Sequence, residues 1–140
     1  MAKGDDIAER LLKYSGSVLK FSFSLPRNEI GKHIALQLVR CATAGGANYE
    51  EARGAESRAD FIHKAGLARK EIRESIYWLN LVVEGGATEK EKASELIAEA
   101  NELAAILTSS AKTARANSNT RNESIRHPRS VVRHSSSITE

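Results

Sequence analysis

Apolar side chains recur every three or four residues along most of this chain, a period that belongs to helices burying one face. Ile7, Leu11, Tyr14, Val18, Phe21 and Leu25 form the first stripe, stepping by 4, 3, 4, 3 and 4. It predicts a helix from about Asp5 to Leu25. Asp5 and Asp6 stand where the helix dipole favours negative charge, and Pro26 interrupts the pattern. A second stripe, Ile30, Ile34, Leu38, Cys41, Gly45, Asn48 or Tyr49, and Ala52, predicts a helix that starts near Asn28 or Glu29 and stops at Gly54. The third carries Phe61, Ala65, Ala68, Ile72, Ser75 or Ile76, Leu79, and Val82 or Val83. It opens at Ser57-Arg-Ala-Asp60, a capping box with Asp in place of Glu, and Gly85-Gly86 ends it. The fourth opens at a better box, Thr88-Glu-Lys-Glu91, carries Leu96, Ala100, Leu103 and Leu107, and fades after about Ala114.

Four amphipathic helices with short connections imply an all-α fold, an up-down-up-down antiparallel four-helix bundle. Only two prolines and 5% aromatics agree with helices over sheets. The bundle is expected over residues 1–116. Residues 117–140 are Ser, Asn, Thr, Arg and His with one proline, and are expected to be a disordered basic tail, since they offer little apolar surface to offset the ordering entropy.

No apolar run approaches the ~18 residues of a membrane span, and the N-terminus has no continuous apolar stretch of a secretory signal. The single cysteine, Cys41, excludes an internal disulfide framework and fits a reducing cytoplasm. The net charge of +3 is uneven: residues 113–140 hold five arginines against two glutamates, while the remainder balances. The pI of about 9.1 therefore does not by itself mark a nucleic-acid-binding domain.

The stretch GGANYEEARGAESRADFIHKAGLARKEIRESIYWLNLV resembles the bacterial rRNA intervening-sequence protein family of four-helix bundles. Gly46, Ala47-Asn48 and Glu51 match the end of the family's second helix. Ser57, Asp60 and Phe61 match the start of its third, and Glu74, Tyr77, Trp78 and Leu79 its later part. The resemblance covers about residues 7–112. It implies a cytoplasmic helical protomer that assembles into a ring-like homo-oligomer, a pentamer, with an RNA connection suggested by genomic setting. A more distant branch resembles accessory proteins that bind nucleic acid and a reverse transcriptase, and no motif here places the chain in that branch.

Gly45 and Gly46 stand inside the second helix, although each interior glycine costs about 1 kcal/mol relative to alanine. Gly45 falls on the apolar stripe; Gly46 sits where the family tolerates proline. The pair is expected to bend the helix and to receive a bulky neighbour, Trp78 or a residue of another subunit. Asn48 and Glu51 share a face and are expected to form a structural polar clamp. Tyr77 and Trp78 are adjacent and cannot face the same core, so one of them is expected at an oligomer interface.

Enzyme chemistry finds little support. A di-metal bundle site needs paired Glu-x-x-His motifs, and the chain offers one Asp-x-x-His, Asp60 to His63, with His33 far off. Cys41 lies on the apolar stripe and reads as a buried thiol rather than a nucleophile. No glycine-rich phosphate loop follows a strand. The chain is expected to be a non-enzyme without cofactor or metal.

Nucleic-acid binding is the favoured function, with structured RNA as the ligand. Its candidate residues are Arg69, Lys70 and Arg73 on the third helix, Arg53 and Arg58 flanking the preceding loop, and Arg115, Arg121, Arg126, Arg129 and Arg133 in the tail. Glu71 and Glu74 interleave with the third-helix run, and local pairing with Arg69 would neutralise it. The competing reading is an assembly scaffold or adaptor for another protein, including a reverse-transcriptase accessory role.

Overall fold

A computed structural model describes residues 4–126 as four helices: α1 (Asp5–Ser22), α2 (Glu29–Arg53), α3 (Arg58–Glu84) and α4 (Lys90–Arg126). Consecutive helices pack side by side, and α4 closes back on α1 across the thinnest of the four interfaces. This is the up-down-up-down bundle that the periodicity predicts. The core is where the stripes meet: Leu11, Tyr14, Val18, Leu38, Ile72, Leu79, Leu103 and Leu107 are fully enclosed.

The helix ends follow local chemistry. Asn28 caps α2, its side chain accepting from Gly31 N at 2.8 Å, and Ser57 caps α3, accepting from Asp60 N at 3.0 Å. α3 stops against Gly85 and Gly86, the latter at φ 73°. α4 begins at Lys90, one residue later than the Thr88 box requires. The first helix also ends earlier than expected, at Ser22. Leu25 still reaches the core because Ser24 N and Leu25 N bond back to Phe21 O and Ser22 O at 2.9 and 3.3 Å, a tightened turn that carries the stripe onward. That turn folds over the start of α2. A Cβ on Gly31 would lie 1.9 Å from the Pro26 carbonyl oxygen, so only glycine fits there.

Of the Gly45-Gly46 pair, it is Gly45 that lets α2 approach its neighbour closely. A Cβ on Gly45 would lie 2.5 Å from Ile72 Cδ1 of α3, so the bulky neighbour is Ile72 rather than Trp78. Gly46 faces α1, where a Cβ would make only ordinary contact with Leu11 Cβ and Ser15 Oγ at 3.8 Å, and Ser15 Oγ donates to Ala42 O at 2.9 Å across the same interface. The helix runs unbroken through the pair.

The largest departure from expectation is the length of α4. Disorder was expected from Asn117, and the helix instead continues to Arg126. Residues 109–126 contain no proline or glycine. Extending a formed helix costs far less than nucleating one, and Thr120 Oγ bonds back to Ala116 O at 3.1 Å. Scarcity of apolar residues limits what a segment can bury, not whether it can continue a helix. The tail expected over residues 127–140 lies outside the described residues.

Candidate nucleic-acid interface

At 100° per residue, Arg69, Lys70 and Arg73 fall on one side of α3, and Glu71 and Glu74 on another. The acids point toward α2, where Arg40 takes both. Arg40 Nη1 meets Glu71 Oε2 at 3.2 Å, and Nη2 bonds to Glu74. The local pairing that would neutralise the basic run is therefore not what forms. Among the described residues no ion pair involves Arg69, Lys70 or Arg73. Lys70 and Arg73 are exposed, and Arg69 is half-buried.

α4 separates its charges along its length. The first half is net acidic, with Glu91, Glu95, Glu99 and Glu102 against Lys90 and Lys92, and Glu99 and Glu102 pair with Arg10 of α1, the latter at 3.1 Å. The second half holds Lys112, Arg115, Arg121 and Arg126 against Glu123, all exposed. A groove of about 480 Å³ runs between α3 and α4, lined by Arg73, Tyr77, Asn80, Asn101 and Thr108 among others. Lys112 and Arg115 stand four and seven positions past Thr108, on the same side of α4. Cations, amides, a hydroxyl and an exposed tyrosine thus share one face. The sequence reading missed Lys112, although the charge segregation along the fourth helix would have found it.

The remaining candidates lie elsewhere. Arg53 bonds to Asp5 and meets Glu50 at 3.3 Å, so it ties the end of α2 to the start of α1 instead of standing free for a ligand. Arg58 lines a separate cavity of about 1060 Å³ at the bundle end, with Tyr49, Phe61 and Ile106. Arg121 faces away from the Lys112–Arg115 side of α4. Arg129 and Arg133 lie outside the described residues. Glu51 pairs with Lys64 of α3 at 2.8 Å rather than with half-buried Asn48, and among the described residues no side-chain hydrogen bond joins Asn48 to Glu51.

Tyr77 is 61% exposed, whereas Trp78 is half-buried. Trp78 packs edge-on against Tyr77 and His33, with centroids at 5.6 and 6.3 Å. The acidic groups that do converge are not those near His63. Cys41, Glu71 and Glu74 bring ligand-type atoms within 4.8 Å of one another. Arg40 already neutralises both carboxylates. Burial, and then the hydrogen bond to Glu74, push the Cys41 thiol up to about 12. A thiol held protonated is neither a nucleophile nor a good metal ligand at neutral pH.

The 23S rRNA-intervening sequence protein family matches residues 6–109. A solved structure described as a protein of unknown function from the S23 ribosomal protein family of Bacteroides thetaiotaomicron VPI-5482 is similar, with 29% identity and a TM-score of 0.71. The match covers 76% of this chain and 98% of that one. No curated protein matches the chain. Lys112 and Arg115 lie just beyond the family match.

Proposed function

The chain belongs to the 23S rRNA-intervening sequence protein family, and from that premise we propose that it is a non-enzymatic protein that binds structured RNA through the outer face of α3 and α4. The observation that carries this reading is the capture of Glu71 and Glu74 by Arg40, with Arg69, Lys70 and Arg73 in no ion pair among the described residues. Arg69 and Arg73 of α3, with Lys112 and Arg115 of α4, contact phosphates; Tyr77, Asn80 and Asn101 line the groove between them. The protein acts in the cytoplasm; among the described residues no helix is long and apolar enough to cross a membrane.

The test is affinity for a structured RNA across a salt series. The combined Arg69→Ala, Arg73→Ala, Lys112→Ala and Arg115→Ala variant is expected to flatten the salt slope by about 3, since each phosphate contact contributes roughly 0.7–0.9. Arg121→Ala is expected to change little. Unaltered affinity and slope in the combined variant would sink this interface.

Arg40 offers a second check, because it lies on α2 outside the binding face. Arg40→Gln releases Glu71 and Glu74 beside the α3 cations and is expected to weaken RNA binding. Lys20→Gln, the same loss of charge on α1, is expected to leave binding unchanged. Equal effects from the two would mean that only net charge matters.

Self-association is a second reading, favoured by one specific observation. Leu12, Leu19 and Phe23 are 72, 45 and 71% exposed on one side of α1. A second copy seated there would bury them and repeat the basic face around an assembly. Solution mass of wild type against Leu12→Ser/Phe23→Ser tests this, and an unchanged mass would count against it.

A further inference from the structure

The end of α4 reaches past everything that packs against it. Asn117 is the last α4 residue lining the bundle-end cavity, and every residue from Asn119 to Arg126 is exposed while remaining helical. These last eight residues project by roughly 12 Å, at about 1.5 Å per residue. Lys112, Arg115, Asn119, Asn122 and Arg126 step by 3, 4, 3 and 4, so they stand in one line along the helix. The line continues the side of α4 that borders the α3 cations. Glu123, four residues past Asn119 and three before Arg126, borders one edge of this line at about 60°.

The two asparagines are the informative members. A surface that only tracks phosphates needs cations alone. A carboxamide presents a donor and an acceptor together, the pairing that reads a base edge. Cations on either side of the amides match a groove whose walls are phosphate and whose floor is bases. A-form RNA has a major groove too deep and narrow for side chains to read. A helix about 10–12 Å across enters only where unpaired nucleotides open that groove.

Resting on the RNA-binding reading above, we propose that the projecting end of α4 is a groove-reading element whose ligand is a bulged RNA stem. Asn119 and Asn122 meet base edges exposed at the bulge. Lys112, Arg115 and Arg126 hold the phosphates on either side.

The test uses the full chain with two RNA hairpins, identical except that one stem carries a bulge. Wild type is expected to prefer the bulged stem by about tenfold or more, within the discrimination that base-edge contacts supply. The Asn119→Ala/Asn122→Ala variant is expected to bring that preference close to unity and leave the salt slope unchanged. Both positions are exposed, and circular dichroism checks that the helix persists. Equal wild-type affinity for the two stems, with binding still sensitive to Arg69→Ala and Arg73→Ala, would overturn this inference and leave the RNA reading standing. A preference that survives the double substitution would also overturn it. Absence of binding to either stem at low salt would overturn both.

Discussion

A Gly45→Leu variant is expected to lose about 3 kcal/mol or more of folding stability, against a typical total of about 5–15 kcal/mol. Helix propensity alone predicts the opposite, a gain of about 1 kcal/mol on removing an interior glycine. Packing decides the sign. Even a methyl group on Gly45 would lie 2.5 and 2.8 Å from Ile72 Cδ1 and Cγ1, and Ile72 is fully enclosed, so it yields only by displacing its core neighbours. Gly66 supplies the control, since nothing lies within 4 Å of a Cβ built there. Gly66→Ala is expected to be neutral or stabilising by up to about 1 kcal/mol. Combining Gly45→Ala with Ile72→Val removes the closest methyl, so the pair should cost less than the sum of the single changes. Denaturant midpoints read all of these. A Gly45→Leu midpoint equal to wild type would mean that the α2–α3 contact is not tight.

Alkaline pH is expected to remove several kcal/mol of stability through two buried protons. Tyr14 and Ser75 lie 2.6 Å apart in the core, and Ser75 Oγ donates to Ile72 O at 2.5 Å. With the Ser75 proton committed, Tyr14 is the donor to Ser75. Burial pushes the Tyr14 phenol up to about 12 and the Cys41 thiol up to about 12, against ordinary values of 10.0 and 9.0. Burial raises Tyr49 as well. The unfolded chain therefore releases these protons first. Their contribution is complete below about pH 9 and is lost as pH rises through the window to about 12. Each pKa unit is worth about 1.4 kcal/mol. Unfolding followed from pH 7 upward should show a steep fall in wild type and a shallower one in Tyr14→Phe/Cys41→Ala. Parallel curves would assign the alkaline loss to other groups.

Most of the fold is legible because helices declare themselves locally. The four stripes reappear as the buried faces, and Asn28 and Ser57 cap the helices that they precede. Legibility fails where the answer depends on a partner from another helix. Nothing adjacent to Glu71 and Glu74 in sequence points to Arg40, more than 30 positions away, so their pairing with Arg69 looked natural. The same applies to Gly45: its place on the apolar stripe signalled a close approach, but the identity of Ile72 required the register between α2 and α3. The end of α4 departs from the sequence pattern for a different reason. Its residues bury almost nothing, and the helix continues without burying them.

Three of the four helix interfaces join neighbours in the chain and can form by local search. The fourth differs in kind, because the ion pair between Arg10 and Glu99 closes a loop of 89 residues. A topology dominated by local contacts favours rapid folding, and the entropy of that one long closure falls on the thinnest interface. α2, α3 and α4 can therefore associate before α1 docks. On this ordering, substitutions that loosen α1 against α4 accelerate unfolding and leave the folding rate nearly unchanged.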